Sequence, residues 1–196
     1  MKKFILVGLP LVLIACLAMV VSTQDCAEAN GEAKTEVKAE EHGYIGAAKC
    51  KVCHKKEKKG NQYGKWLESD HAQAYTTLLS DESKAICKEM GITEAPEKAA
   101  ECLKCHITGH GAKAELLGKK YTIEEGVSCE ACHGAAKDWK KPHAKDPATA
   151  KTLGLMDPTD EKMCRACHNP ESPTYKEFVY KDKLAMIAHP NPMKEK

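Results

Sequence analysis

The chain has 196 residues, enough for one domain, and its charge is nearly balanced at a formal net value of +2. This balance gives no reason to expect a nucleic-acid partner, because proteins that bind nucleic acid carry a clear excess of basic residues. Aromatic residues make up only 5% of the sequence, so the polypeptide side chains alone predict a thin hydrophobic core.

The first 29 residues have the pattern of an export signal. Lys2 and Lys3 precede an apolar run from Phe4 to Val21, and a small-residue cleavage site ends at Ala29. Two alternatives stay open: a lipoprotein box that ends at Cys16, or an uncleaved anchor, since the apolar run is nearly long enough to span a bilayer. All three carry the protein across the cytoplasmic membrane, which predicts a location in the periplasm or on the outer cell surface, with or without membrane attachment through the N-terminus.

The remaining sequence divides into a tether and a helical domain. Residues 30–43 are charged and poor in apolar side chains, which predicts a disordered tether, so we expect one domain over 44–196. The expected fold class is mostly α with little β. The patterns predict helices over 62–79, 82–89, 94–105, 146–153, 159–167 and 181–188, and a short strand at 121–123.

One pentapeptide pattern, Cys-x-x-Cys-His, occurs four times in the domain. It is the c-type haem attachment signature, in which two thiols bind one haem covalently and the His binds the iron. Zinc knuckles also use Cys-x-x-Cys, but they do not require a His directly after the second Cys. The sequence therefore predicts four covalently bound haem c groups, numbered 1 to 4 in chain order, which supply much of the core. The attachment residues are Cys50, Cys53, Cys102, Cys105, Cys129, Cys132, Cys164 and Cys167, and the proximal iron ligands are His54, His106, His133 and His168.

Five further histidines are candidates for the second axial position, because a low-spin electron-transfer haem takes a second strong ligand. We expect His71 to bind iron from the middle of a helix. His143, after a turn, and His189, after the last helix, are the next candidates.

The other two histidines and one cysteine are less informative. His110 follows a proximal ligand by four residues, a path of at most ~14 Å, which is too short to reach the opposite face of the same haem. A loop or propionate contact is expected for it. His42 lies in the tether, either as a solvated residue or as an iron ligand. Cys87 has no disulfide partner once residues 1–29 are removed, and a buried, inert thiol is expected.

The motifs, with their order and spacing, resemble those of the tetrahaem cytochrome c-554 family, which is known from ammonia oxidation. The start and end of the domain also resemble surface tetrahaem cytochromes that polymerise into filaments. The matching segments are Lys49-Cys-Lys-Val-Cys-His54, Trp66-Leu-Glu-Ser-Asp-His-Ala-Gln-Ala-Tyr75, Glu101-Cys-Leu-Lys-Cys-His106, Gly126-Val-Ser-Cys-Glu-Ala-Cys-His-Gly134 and Cys164-Arg-Ala-Cys-His168, with Tyr44-Ile-Gly46 and Ala188-His-Pro190 at the two ends.

The resemblance implies a mostly helical fold, close haem pairs and a set of axial ligand pairs. Haem 2 is left without an obvious internal partner, and in filament relatives a neighbouring subunit can supply one. We therefore expect His42 to bind haem 2 of an adjacent subunit. The implied pairs are His143 with His54 on haem 1, His71 with His133 on haem 3, and His189 with His168 on haem 4.

Electron transfer is the function that the sequence favours, because closely spaced haems pass single electrons and no phosphate loop or nucleophile–base arrangement is present. Expected partners are redox proteins, either quinol-linked proteins or other cytochromes, and a homo-oligomer or filament is one version of this function. The alternative is a small-molecule redox enzyme for nitric oxide, hydroxylamine or nitrite at an open haem 2. The one arginine, Arg165, lies inside the fourth motif, which argues against recognition of oxyanions. We expect no enzymatic activity.

Overall fold

A computed structural model describes residues 41–189 and 191–192. The described part of the chain is mostly helical and contains no β-strand, in agreement with the expected fold class. One isolated parallel bridge joins Tyr44 to Leu117. The predicted signal segment 1–29 and tether residues 30–40 lie outside the described residues. No helix in the described part is long and apolar enough to cross a membrane.

The helices are short, and four of them contain the Cys-x-x-Cys-His motifs in whole or in part. Three single 3-10 turns, Glu57–Lys59, Ala114–Leu116 and Ile123–Glu125, lie between them. The motif helices are α1, α5, α6 and α8. In chain order the helices are α1 (Ala47–His54), α2 (Gln62–Leu67), α3 (Ala74–Thr77), α4 (Asp81–Glu89), α5 (Ala100–His106), α6 (Cys129–His133), α7 (Pro147–Thr152), α8 (Glu161–Arg165) and α9 (Tyr180–Ile187).

The predicted helix over 62–79 is wrong in its middle, where residues 68–73 form successive turns between α2 and α3. The Ser69 hydroxyl donates to the Trp66 carbonyl at 2.6 Å, and the amides of Ala72 and Gln73 donate to carbonyls only three residues earlier. Short polar side chains compete with the helix for backbone partners in this way. His71 therefore lies in a turn and not in the middle of a helix.

Other boundaries differ from the predictions for local reasons. The helix predicted over 94–105 begins only at Ala100, since Pro96 disfavours helical backbone at Ala95 and Ala99 is still extended. The short strand predicted at 121–123 is extended only as far as Thr122 and then enters a 3-10 turn. The helix predicted over 159–167 is capped by Asp160, whose carboxylate accepts the Lys162 amide at 3.0 Å. The helices predicted over 82–89, 146–153 and 181–188 are confirmed to within one residue at each end.

The side chains form a thin core, as the composition predicts. Trp139 packs with Ala136 and Ala150, but no large apolar side chain in the described part of the chain is fully buried. Val52, inside the first Cys-x-x-Cys-His motif, is 64% exposed. Such a core leaves apolar surface for large flat groups to cover.

The last three residues of the predicted tether pack on the domain. Glu41 forms an ion pair with Lys113 at 2.7 Å, and the Gly43 carbonyl accepts the Lys137 amide at 2.9 Å. The ordered domain therefore already includes Glu41, three residues before the predicted start at 44.

Candidate haem centres

The first motif is held in place by a carboxylate from the third. Glu130, one of the two variable residues of motif 3, is 2% exposed. Its two oxygens accept the amides of Ile45 at 3.0 and 3.1 Å, Gly46 at 2.8 Å and Ala136 at 2.7 Å. A buried carboxylate requires this number of donors. Glu130 therefore ties motif 3 to the residues that begin α1, which carries motif 1.

A second carboxylate accepts backbone amides at the N-terminus of the same helix, α1. Glu125 accepts the amide of Ala47 at 2.8 Å and that of Ala48 at 3.4 Å. Burial raises the pKa of Glu125, and these two amides oppose that rise. The first amides of a helix have no partner within the helix and attract anions. Glu125 and Glu130 thus satisfy the free end of α1 and fix motif 1 in place.

A buried hydroxyl joins motif 2 to motif 3. The Thr108 hydroxyl lies 3.1 Å from the Gly126 carbonyl and accepts the Ser128 amide at 2.7 Å. The Tyr121 hydroxyl donates to the Thr108 carbonyl at 2.5 Å. Thr108 follows motif 2 and Ser128 precedes motif 3, so this network sets the relative position of the two motifs.

Six histidines lie in three facing pairs of nearly equal spacing. A metal–imidazole bond is about 2 Å, so two imidazoles on opposite sides of one metal ion have ring centroids about 6 Å apart. The observed spacing therefore matches one iron between each pair. The centroid distances are 6.0 Å for His54 with His143, 5.9 Å for His71 with His168, and 6.0 Å for His133 with His189.

The pairing agrees with the implied set for motif 1 and differs for motifs 3 and 4. His71 faces His168 instead of His133, and His189 faces His133 instead of His168. The chain becomes extended at Ala188, directly after α9, and this brings His189 to motif 3. The two implied pairings are therefore exchanged in the structure.

Hydrogen bonds orient four of the imidazoles through Nδ1. Each acceptor is a carbonyl oxygen, so Nδ1 donates and the lone pair remains on Nε2, which is the arrangement of a metal-binding His. The bonds run from His54 to Gln62 Oε1 at 3.1 Å, from His106 to the Ala74 carbonyl at 2.7 Å, from His143 to the Lys140 carbonyl at 2.5 Å, and from His189 to the Ile187 carbonyl at 3.3 Å.

Burial favours the neutral form of the other three imidazoles, those of His71, His133 and His168. It lowers the pKa of His133 to about 4, with His189 as the next cause. It also lowers the pKa of His71 and of His168. Metal binding requires a neutral imidazole, so these sites need little further proton release near neutral pH. Phe178 stacks on the His168 ring with centroids 4.8 Å apart and an angle of 14° between the rings, which holds the orientation of that ring.

Thiols from different motifs approach one another and define a spatial order. A hydrogen bond between Cys50 of motif 1 and Cys129 of motif 3 lowers the pKa of the first thiol and raises that of the second. Burial, together with the charge of Cys105 in motif 2, raises the pKa of Cys167 in motif 4 to about 12. Burial, together with the charge of Cys164 in motif 4, raises the pKa of Cys132 in motif 3. The order of motifs in space is therefore 1, 3, 4, 2, which differs from their order in the sequence.

Motif 2 lacks a facing pair. No second imidazole lies opposite His106 in the described part of the chain. The odd cysteine, Cys87, is buried as expected, and its sulfur lies 3.8 Å from that of Cys102. Burial, followed by the contact with Cys87, raises the pKa of Cys102 to about 11.

The last two histidines lie together at the rim of a cavity of about 550 Å³, which Glu41 and Tyr44 also line. His110 is exposed in a turn after motif 2. The His42 side chain is only 19% exposed; its Nδ1 lies 2.9 Å from Asp138 Oδ2, and its ring packs against the backbone of Gly154. His42 is thus held on its own domain, and its predicted position on a free tether is wrong.

These observations fit the haem c that the motifs imply. Each motif offers two thiols and a proximal His, three motifs offer a second imidazole at the correct spacing, and the core is thin. No group of three or more His, Cys, Asp or Glu side chains arranged to hold a metal ion occurs among the described residues. Sequence reasoning missed Glu130, Thr108, Gln62 and Phe178, because their roles depend on contacts between distant segments.

Comparison with known proteins gives one consistent result. The family described as Cytochrome c554 and c-prime matches residues 49–134. Cytochrome c-554 of Nitrosomonas europaea is 28% identical over 144 residues, which cover 64% of this chain and 57% of that protein. The chain therefore spans less than two thirds of the curated relative. The solved structure of reduced cytochrome c554 from the same organism aligns with a TM-score of 0.47 and 22% identity, over 79% of this chain and 81% of that one.

Proposed function

We propose that this chain, which matches the family described as Cytochrome c554 and c-prime over residues 49–134, carries electrons by means of four covalently bound haem c groups. A haem c bound at each motif supplies a reversible one-electron couple. The protein residues attach the haems, supply axial nitrogens and set the distances between sites. Two observations support this function. Six histidines form three facing pairs, and thiols of motif 1 approach those of motif 3 while thiols of motif 2 approach those of motif 4.

The spatial order of the motifs suggests the route. Haems held at motifs 1, 3, 4 and 2 would pass electrons in that order, with motifs 1 and 2 at the two ends. Glu130 and Thr108 position the motifs along this route through hydrogen bonds with backbone amides. The imidazole pairs at motifs 1, 3 and 4 would each hold one haem iron, and two neutral imidazoles favour low-spin iron, which would exchange electrons with little change in structure.

A redox titration of the purified holoprotein tests this proposal. The four-haem carrier takes up four electrons per molecule, in overlapping steps, and returns them to an oxidant without consuming a substrate. Uptake of fewer than four electrons, or turnover of a substrate at a rate far above electron exchange, contradicts it.

We place the carrier in the periplasm or on the outer cell surface, because haem attachment and the predicted signal both belong to export. Its partners are quinol-linked proteins or other cytochromes. A polymerised haem chain is the extended version, in which His42 of one copy binds haem 2 of the next. The contact of His42 Nδ1 with Asp138 is compatible with iron binding through Nε2, as in the other oriented imidazoles.

A small-molecule reaction at haem 2 is the second candidate. The observation that favours it is the absence of an imidazole opposite His106 in the described part of the chain. Arg165 does not serve this site, since it pairs with Glu161 at 2.7 Å and lies over the Phe178 ring. A neutral ligand such as nitric oxide therefore suits haem 2 better than nitrite. Steady-state assays with nitric oxide, hydroxylamine and nitrite distinguish the enzyme from the carrier.

A further inference from the structure

The segment that carries motif 1 has an unusual charge. Residues 49–65 contain seven lysines and a single acidic residue, Glu57, in a chain whose overall charge is close to neutral. We name this segment the basic face. Its lysines are Lys49, Lys51, Lys55, Lys56, Lys58, Lys59 and Lys65.

The fold gathers these lysines around the attachment site of haem 1. Helix α1, one 3-10 turn and helix α2 fold back on each other, and His54 bonds to Gln62 across the turn. Lys59 is partly buried and the other six lysines are exposed. None of the seven forms an ion pair with any residue that the structure describes. Cys53, an attachment residue of haem 1, is also exposed, so the basic face borders this attachment site.

A further lysine extends the face from the distal side. The charge of Lys140 acts on the Cys50 thiol, so this side chain also lies near motif 1. It is exposed, and its carbonyl holds the distal candidate His143. Positive charge therefore borders both sides of the haem 1 site.

The opposite end of the haem order has the opposite charge. Residues 81–101, which form α4 and lead into α5, contain six acidic residues and three lysines. They pack beside motif 2, where Cys87 meets Cys102. The two ends of the proposed electron route therefore differ in sign, which a uniformly solvated surface does not require.

We infer that the basic face is the docking surface for an electron-transfer protein whose contact surface is acidic, and that this partner exchanges electrons with haem 1. The inference rests on the proposed carrier function. Exposed lysines without ion-pair partners around a haem attachment site attract an acidic partner over several ångströms and orient it with the two redox groups close together. Electrostatic steering of this kind raises association rates by about 10- to 1,000-fold and weakens as salt is added.

Stopped-flow reduction of the holoprotein by reduced flavodoxin, a small acidic one-electron donor, tests the inference. The wild-type second-order rate constant should fall at least tenfold between low ionic strength and about 0.2 M salt. The triple variant Lys55→Gln, Lys56→Gln, Lys58→Gln should react at least fivefold more slowly at low salt and show a weaker dependence on salt. It keeps the side-chain length and leaves the motif residues unchanged.

A matched triple variant removes the same charge elsewhere. Lys88→Gln, Lys98→Gln and Lys176→Gln are exposed positions outside the basic face and should leave the rate within twofold of wild type. Equal slowing in both variants, or an unchanged salt dependence in the first, overturns the inference. Salt-sensitive dimers of the wild type that disappear in the first variant also overturn it, because a second copy would then occupy the face.

Reduction by dithionite distinguishes a failure of the docking surface from a failure of the carrier function. If dithionite reduces all four haems in every variant while flavodoxin shows no preference for the basic face, only the docking surface is wrong. If dithionite itself fails to reduce four haems, the carrier function is wrong as well.

Discussion

Removal of the Glu130 carboxylate should destabilise the protein more than a single change to any other acidic residue that the structure describes. Glu130 is 2% exposed and accepts the amides of Ile45, Gly46 and Ala136. In Glu130→Ala these three buried donors lose their acceptor. Each unsatisfied donor costs about 1–3 kcal/mol, so we expect a loss of about 3–6 kcal/mol, because water entering the space offsets part of the sum. Glu130→Gln keeps one acceptor oxygen and should lose about half as much.

Guanidinium unfolding of the holoprotein, followed by circular dichroism and by the Soret band, measures this loss. Glu124→Ala is the matched control, since Glu124 is an exposed acidic residue six positions earlier. The control should stay within about 0.5 kcal/mol of wild type, as is usual for exposed sites. If Glu130→Ala also stays within about 1 kcal/mol of wild type, the carboxylate does not hold the two motifs together.

Three further outcomes follow from the site. Mass spectrometry of the denatured mature protein should show four haem additions, because four motifs offer paired thiols. Three or fewer additions in protein matured by its native host would contradict the prediction of four haems. His71→Ala should turn one haem high-spin, and haem-specific NMR should assign the change to the haem of motif 4, whereas His189→Ala should affect the haem of motif 3; reversed assignments would restore the pairing implied by family resemblance. His42→Ala should leave the spin state of haem 2 unchanged in the isolated monomer, since no imidazole lies opposite His106 in the described part of the chain, while a spin change confined to assembled protein would support donation between subunits.

The chemistry of the site could be predicted from the sequence because it is local. Cys-x-x-Cys-His places two thiols and an imidazole within five residues, and no tertiary contact is needed to recognise it. The helix over 82–89 was predictable for the same reason: Ser80 caps its start, and Gly91, with a φ of 70°, follows its end.

The axial pairs could not be predicted in this way, because they join segments far apart in the chain. The sequence makes His71, His143 and His189 candidates, but their spacing does not say which motif each one faces. Family resemblance gave the correct partner for His143 and exchanged the partners of the other two. The turn at residues 68–73 was missed because the helical pattern continues through it, while hydrogen bonding by Ser69 breaks the helix.

The contacts that fix the motifs relative to one another were also outside the reach of local patterns. Glu130 occupies one of the two unspecified positions of Cys-x-x-Cys-His, so the motif itself assigns it no role. Its burial follows only when the segment around Gly46 folds onto α6, and the same holds for Thr108 and the segment before motif 3.

Diffraction from the holoprotein at the iron absorption edge tests the proposed haem order and axial pairs most directly, since the anomalous signal locates every iron independently of the protein atoms. The account predicts four iron positions in the spatial order 1, 3, 4, 2. Three of the irons should be bound by His54 with His143, His133 with His189, and His168 with His71. A different order of the irons, or any of these three bound by another pair, would contradict the account.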